Sequence, residues 1–272
     1  MALVNHAKKE INAKIIYYGP AGCGKSTALN YIYSRIKPAL RGELKSVPAG
    51  GDNLLFFDFS PLDAPLQDGY HVRLHIYTLT GLVHNPATWK MTLKGADGIV
   101  IMMDPSPERL AESQESVMQL RDYLSAYGVG LHDTPAILQL NESCRDAGLV
   151  DDSGLARKLD LSSVMVRRSN AASGEGVLEA LTGLFRPVLE RVATAGNRNE
   201  INTAATVPGE QALFDEISSG DDPGKVVAAG SARISLSVPD VNVEGTLIRI
   251  PLEISVGESR RRMTISVSIE PE

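Results

Sequence analysis

The chain has 272 residues, 43% hydrophobic and 22% charged. That balance fits a soluble globular protein with one generous domain, or a domain plus an appendage, and excludes a fibrous or wholly disordered chain. A net charge of −6 argues against broad binding to nucleic acid or to an anionic membrane.

Two cysteines, Cys23 and Cys144, offer no disulfide framework, and five scattered histidines offer no metal-ligand spacing. The start "MALVNHAKKE" lacks a signal-peptide layout, and no apolar run approaches the ~18 residues of a membrane span. The sequence therefore predicts a cytoplasmic protein with no transmembrane segment.

In chain order, "AKIIYYG" (residues 13–19) predicts a first strand, and a helix follows from about Lys25 to Ile36, closed by Pro38. Residues 38–53 are rich in Gly, Pro and polar side chains and read as a loop. "LLFFDF" (54–59) and "YHVRLHIYTL" (70–79) predict an antiparallel pair, the second alternating Val72, Leu74 and Ile76 against Arg73, His75 and Tyr77. "GADGIVIMMD" (95–104) is continuously apolar, as a central strand covered on both faces must be. A helix over 107–128, a strand over 134–140, a short helix near 155–159, a strand over 162–168 and a helix over about 176–193 complete an α/β alternation.

Beyond Ala195 the composition turns polar, and residues 196–225 read as a linker. Three period-two segments follow, 232–238, 246–256 and 262–270, predicting a small C-terminal antiparallel β segment over 226–272. The expected division is thus 1–195, 196–225 and 226–272, with a mostly parallel sheet flanked by helices in the first part.

Directly after the first strand stands "GPAGCGKST", Gly19 to Thr27, which matches G-x-x-x-x-G-K-[ST] between a strand and a helix. Gly19, Gly22 and Gly24 let the backbone around Cys23 curl so that N–H groups converge on phosphate oxygens, helped by the positive helix N-terminus. Lys25 would reach the β- and γ-phosphates, Ser26 would sit on Mg²⁺, and Thr27 continues the binding turn. Residues 38–53 and 79–94 then become candidate switches that respond to the γ-phosphate.

The stretches "EINAKIIYYGPAGCGKSTALNYIY", "LFFDF", "LHIYTLTGLV", "LKGADGIVIMMD" and "ESVMQLRDYL" together resemble the MglA-type bacterial small GTPases, the Ras-like proteins of cell polarity and gliding motility. The resemblance runs from about Lys8 to Val192. It implies a Ras-like P-loop fold with a six-stranded sheet, binding of GTP and GDP with Mg²⁺, and a protein effector or Roadblock-type regulator as partner. It also implies roles in nucleotide binding for Gly81 in the second switch, Asn141 after the fifth strand, and Ala172 and Ser173 in the last base-contacting loop.

Several positions depart from the pattern that the resemblance implies. Leu82 follows Gly81 where the family has a hydrolytic glutamine, Asn53 stands where it has an arginine finger, and "AGGD" (49–52) lacks the first-switch threonine. After Asn141, Glu142 and Cys144 occupy the lysine and aspartate positions of the base motif, with Asp146 two residues late. Asp58 reads either as a buried structural carboxylate or as the mark of a strand that slips by one residue. The sequence reading is a guanine-nucleotide switch with slow or absent GTP hydrolysis and no confident catalytic residue. A pseudo-GTPase scaffold and an active or ATP-selective hydrolase stay open beside it.

Overall fold

A computed structural model describes residues 3–66, 69–142, 151–195, 235–237, 242–244, 247–256 and 259–268. It divides into two compact units, Met1–Ser219 and Gly220–Glu272. The first unit carries strands β1 (Leu3–Asn5), β2 (Glu10–Tyr18), β3 (Lys45–Ala49), β4 (Asp52–Phe59), β5 (His71–Thr80), β6 (Gly98–Met103), β7 (Ala136–Asn141) and β8 (Met165–Ser169). Its helices are α1 (Lys25–Arg35), α2 (Pro86–Leu93), α3 (Leu110–Ser125), α4 (Asp152–Lys158) and α5 (Val177–Ala195).

The strands form one eight-stranded sheet in the order β3-β4-β5-β2-β6-β7-β8, with β1 paired to β2 off that path. Pairing is parallel from β5 through β2, β6 and β7 to β8, and antiparallel at β1–β2, β3–β4 and β4–β5. Helices cover both faces. Ile15, Tyr17, Val100 and Met102 pack with Leu29 and Ile32 of α1 and Leu181 and Phe185 of α5. Ile16, Tyr18, Ile101 and Met103 pack with Trp89 of α2, Leu120 of α3 and Leu155 of α4. Every residue of β6 is buried, which is why its sequence is apolar without alternation. On β5, by contrast, Val72, Leu74 and Ile76 are buried, His75 and Tyr77 are half-buried, and Arg73 is exposed.

Two extra strands take the sheet from the expected six to eight. β3 lies inside the stretch read as a loop, residues 38–53, and pairs with β4 from Lys45↔Phe56 to Ala49↔Asp52. Gly50 and Gly51 both have positive φ, 60° and 93°, as the two central residues of a tight hairpin with the right twist require. The Gly-Gly pair carried that signal, but Pro48 obscured it; proline is tolerated here because β3 is an edge strand. Helix α2 is a further addition within 79–94, started by Asn85, whose side chain accepts from Ala87 N, and by Pro86.

Asp58 is half-exposed and accepts from Arg73 Nε at 2.7 Å, so it is a surface ion-pair partner and not a buried carboxylate. The second unit holds β9 (Ser235–Ser237), β10 (Asn242–Glu244), β11 (Leu247–Val256) and β12 (Ser259–Ser268), all antiparallel, with β11 pairing to the other three. β10 adds to the three segments expected there. The proposed linker, 196–225, lies outside the described residues.

Candidate functional site

The segment Gly19–Gly24 leaves β2 at Tyr18 and enters α1 at Lys25, so strand, loop and helix follow in the order that the motif needs. Close approach explains two of its glycines. A Cβ on Gly19 would run into the Met102 carbonyl at the end of β6, and one on Gly24 would meet the Asn141 side chain. Lys25 is only 4% exposed, and its Nζ donates to Gly19 O at 2.9 Å and Pro20 O at 2.6 Å across the curl of the loop. Burial pulls the ammonium below its ordinary pKa, opposed mainly by the neighbouring Cys23. Ser26, in the first turn of α1, is half-buried and Thr27 is exposed.

Asn141 closes the loop from behind. Its Nδ2 donates to Cys23 O at 3.1 Å and its Oδ1 accepts from Ala171 N at 2.7 Å, tying the cradle to the loop after β8. In that loop the N–H groups of Ala172 and Ser173 both donate to Asn170 Oδ1, at 3.0 and 3.1 Å. Glu142 pairs with Arg168 of β8, and the same guanidinium holds Asp152 at 2.6 Å. Cys144 and Asp146 lie outside the described residues.

The two candidate switches meet each other. Asn53 pairs with Thr80 across β4 and β5, next to Gly81. Asp52 accepts from His84 N at 2.8 Å, and that N–H lowers its carboxyl pKa more than burial raises it. A cavity of about 280 Å³ lies between Gly19–Ala21 of the cradle, Gly81 and Leu82 of the second switch, and Glu112 of α3. Thr78, buried one turn of the strand earlier, donates to Tyr17 O at 2.8 Å and so serves the sheet.

Over 197 residues, 72% of this chain and all of the relative, the sequence is 36% identical to the mutual gliding-motility protein MglA of Myxococcus xanthus (strain DK1622). The chain belongs to the MglA family of small GTPases. No protein-family model matches it.

The G-x-x-x-x-G-K-[ST] loop is complete at residues 19–26. Leu82 is 66% exposed beside Gly81, and it carries no group that could hold a water. Asn53 is exposed at the start of β4 and carries no charge. Sequence reasoning also missed a cation that the fold brings to the loop. Arg109, just before α3, donates from Nη2 to Ala21 O at 2.6 Å. No motif marks it, because the two positions are 88 apart in the chain and only the sheet brings them together. Among the described residues no helix is long and apolar enough to cross a membrane, and no cluster of His, Cys, Asp or Glu has the makings of a metal site.

Proposed function

We propose that this chain is a cytoplasmic guanine-nucleotide switch of the MglA type that holds GTP or GDP with Mg²⁺ and hydrolyses GTP slowly or not at all. The donor set suits the ligand: a tightly curled backbone, the buried Lys25 ammonium inside the curl and the Ser26 hydroxyl at the helix start. In this reading Gly19, Gly22, Cys23, Gly24, Lys25, Ser26 and Thr27 bind phosphate, and Ser26 holds Mg²⁺, which would neutralise charge on the phosphate oxygens. Gly81 contacts the γ-phosphate side, and Asn141, Ala172 and Ser173 shape the base side. Residues 1–195 form the nucleotide-binding part, 196–225 a linker and 226–272 an appendage. A protein effector or Roadblock-type regulator reads the switch surface.

One observation carries the slow-hydrolysis reading. Leu82 lines the same cavity as Ala21 of the loop, at a position where a hydrolase needs a polar group to orient water. Mass analysis of co-purified nucleotide, with turnover followed over hours, tests the proposal. The expected result is bound GDP or GTP and turnover far below that of a stimulated small GTPase; rapid turnover sinks the slow-hydrolysis reading. Leu82→Gln together with Asn53→Arg should raise turnover, an arginine finger being worth roughly 10³–10⁵ in related enzymes.

A second reading, an ATP-selective site or a scaffold, draws on Glu142. The resemblance puts a lysine there, and this chain puts a carboxylate bound to Arg168. Adenine in the co-purified nucleotide, or no nucleotide at all, decides for it.

A further inference from the structure

The guanidinium of Arg109 lies along the outer rim of the cradle. Its Nη2 donates to Ala21 O at 2.6 Å and pairs with the Glu112 carboxylate at 2.7 Å. Its Nη1 lies 3.5 Å from the place where a Cβ on Gly22 would stand. Its Nε–H is buried and has no hydrogen-bond acceptor among the described residues. A buried donor without an acceptor is costly, and natural sites keep one chiefly where a ligand or water satisfies it.

The two partners of that guanidinium, Ala21 and Glu112, stand at a cavity that Arg109 itself does not line. That cavity is lined also by Gly81 and Leu82, the segment expected to sense the last phosphate. Lys25 holds the carbonyls of Gly19 and Pro20, and Arg109 holds that of Ala21, the next residue. Asn53 contributes no charge from the switch side. The carboxylate partner Glu112 is half-exposed, and its pairing with Arg109 is a local i,i+3 contact of the kind that contributes little. A terminal phosphate offers more negative charge and suits the fork of a guanidinium better.

We infer that Arg109 binds the terminal phosphate of a bound nucleoside triphosphate, exchanging Glu112 for it, and so makes the site prefer triphosphate over diphosphate. The inference rests on the nucleotide-binding reading above. It assigns to the β6–α3 connection a role that the resemblance gives to a switch arginine.

The test is the affinity of the full chain for GDP and for a non-hydrolysable GTP analogue, both with Mg²⁺, in wild type, Arg109→Gln, Arg109→Lys and Glu112→Gln. Arg109→Gln should weaken the triphosphate analogue roughly tenfold or more, with GDP much less affected, as loss of a charge-assisted hydrogen bond predicts. Arg109→Lys should recover part of that loss. Glu112→Gln should tighten the analogue by releasing the guanidinium.

Equal losses for both nucleotides, or weaker analogue binding in Glu112→Gln, would show that Arg109 only clamps the loop, and would overturn the inference. If the wild type binds neither nucleotide, the nucleotide-binding reading itself fails and takes this one with it. Melting without nucleotide checks that Arg109→Gln is folded. Glu112→Gln carries the test if it is not.

Discussion

At Lys25, burial and function pull in opposite directions. An ammonium that is almost fully enclosed is stabilised here by the carbonyls of its own loop, by nearby Cys23 and Glu112 and by the face of Trp89, with no carboxylate bound directly to it among the described residues, so the position favours any ligand that brings negative charge. Lys25→Ala should reduce nucleotide affinity by about two orders of magnitude or more while leaving the fold intact, since loss of a paired buried charge typically costs ~3–5 kcal/mol. Isothermal titration would read this, and unchanged affinity would remove the cradle assignment. Asn141 acts at one remove from the phosphates. Asn141→Ala leaves Cys23 O and Ala171 N without their partner and should cost about 1–3 kcal/mol in stability, measurable by urea unfolding. The asparagine itself stood out in the sequence only through the resemblance, as a candidate base contact. Its two partners, 118 and 30 residues away, were not legible as partners.

At the level of elements, the β3–β4 hairpin and the loop before α2 behave as one latch. Asp52, the first residue of β4, accepts the His84 N–H, and the Asn85 side chain reaches Gly50 O at 3.5 Å. The Asp52 carboxyl has a folded pKa below its unfolded value, chiefly through the His84 N–H. Its contribution is therefore complete above the ordinary carboxylate range and is lost as pH falls through the folded value. Hydrogen exchange at the His84 amide should accelerate below about pH 4, beyond the intrinsic pH trend, and Asp52→Asn should flatten that extra dependence. If the wild type and Asp52→Asn show the same profile, the carboxylate is not the latch.

The turn itself is sensitive to residue type. Gly50 has φ 60° and a Cβ there would lie 2.8 Å from Thr88 Oγ1, whereas Gly51 at φ 93° faces open space. Gly50→Val should therefore destabilise by about 1–2 kcal/mol or more and Gly51→Ala by less, a difference that thermal melting resolves. The two-glycine signal was present in the sequence. Its meaning depended on β3, the strand hidden in the polar run 38–53, pairing with the expected strand β4.

At the scale of the whole molecule, both apolar clusters of the first unit are built from residues between Ile11 and Val192. The second unit is all-antiparallel and pairs only within itself among the described strands. Truncation after Ser219 should leave the nucleotide-binding unit folded, with a cooperative melt within a few degrees of the full chain and unchanged nucleotide affinity. Loss of cooperative melting would mean that the C-terminal strands complete the core of the first unit.

The sequence by itself determined the alternation of elements, the burial of β6 on both faces and the cradle at 19–27. Each of these is encoded locally, in side-chain periodicity or in backbone freedom over a few consecutive residues. Tertiary structure alone decided what surrounds the cradle: the extra edge strand β3, the latch from Asp52 to His84, the tie of Asn141 to Cys23 and Ala171, and the guanidinium of Arg109 on Ala21. Apart from the β3–β4 hairpin, which is local, those contacts join residues 30 or more positions apart in the chain. Their geometry exists only once parallel pairing has brought the C-terminal ends of β2, β6 and β7 side by side.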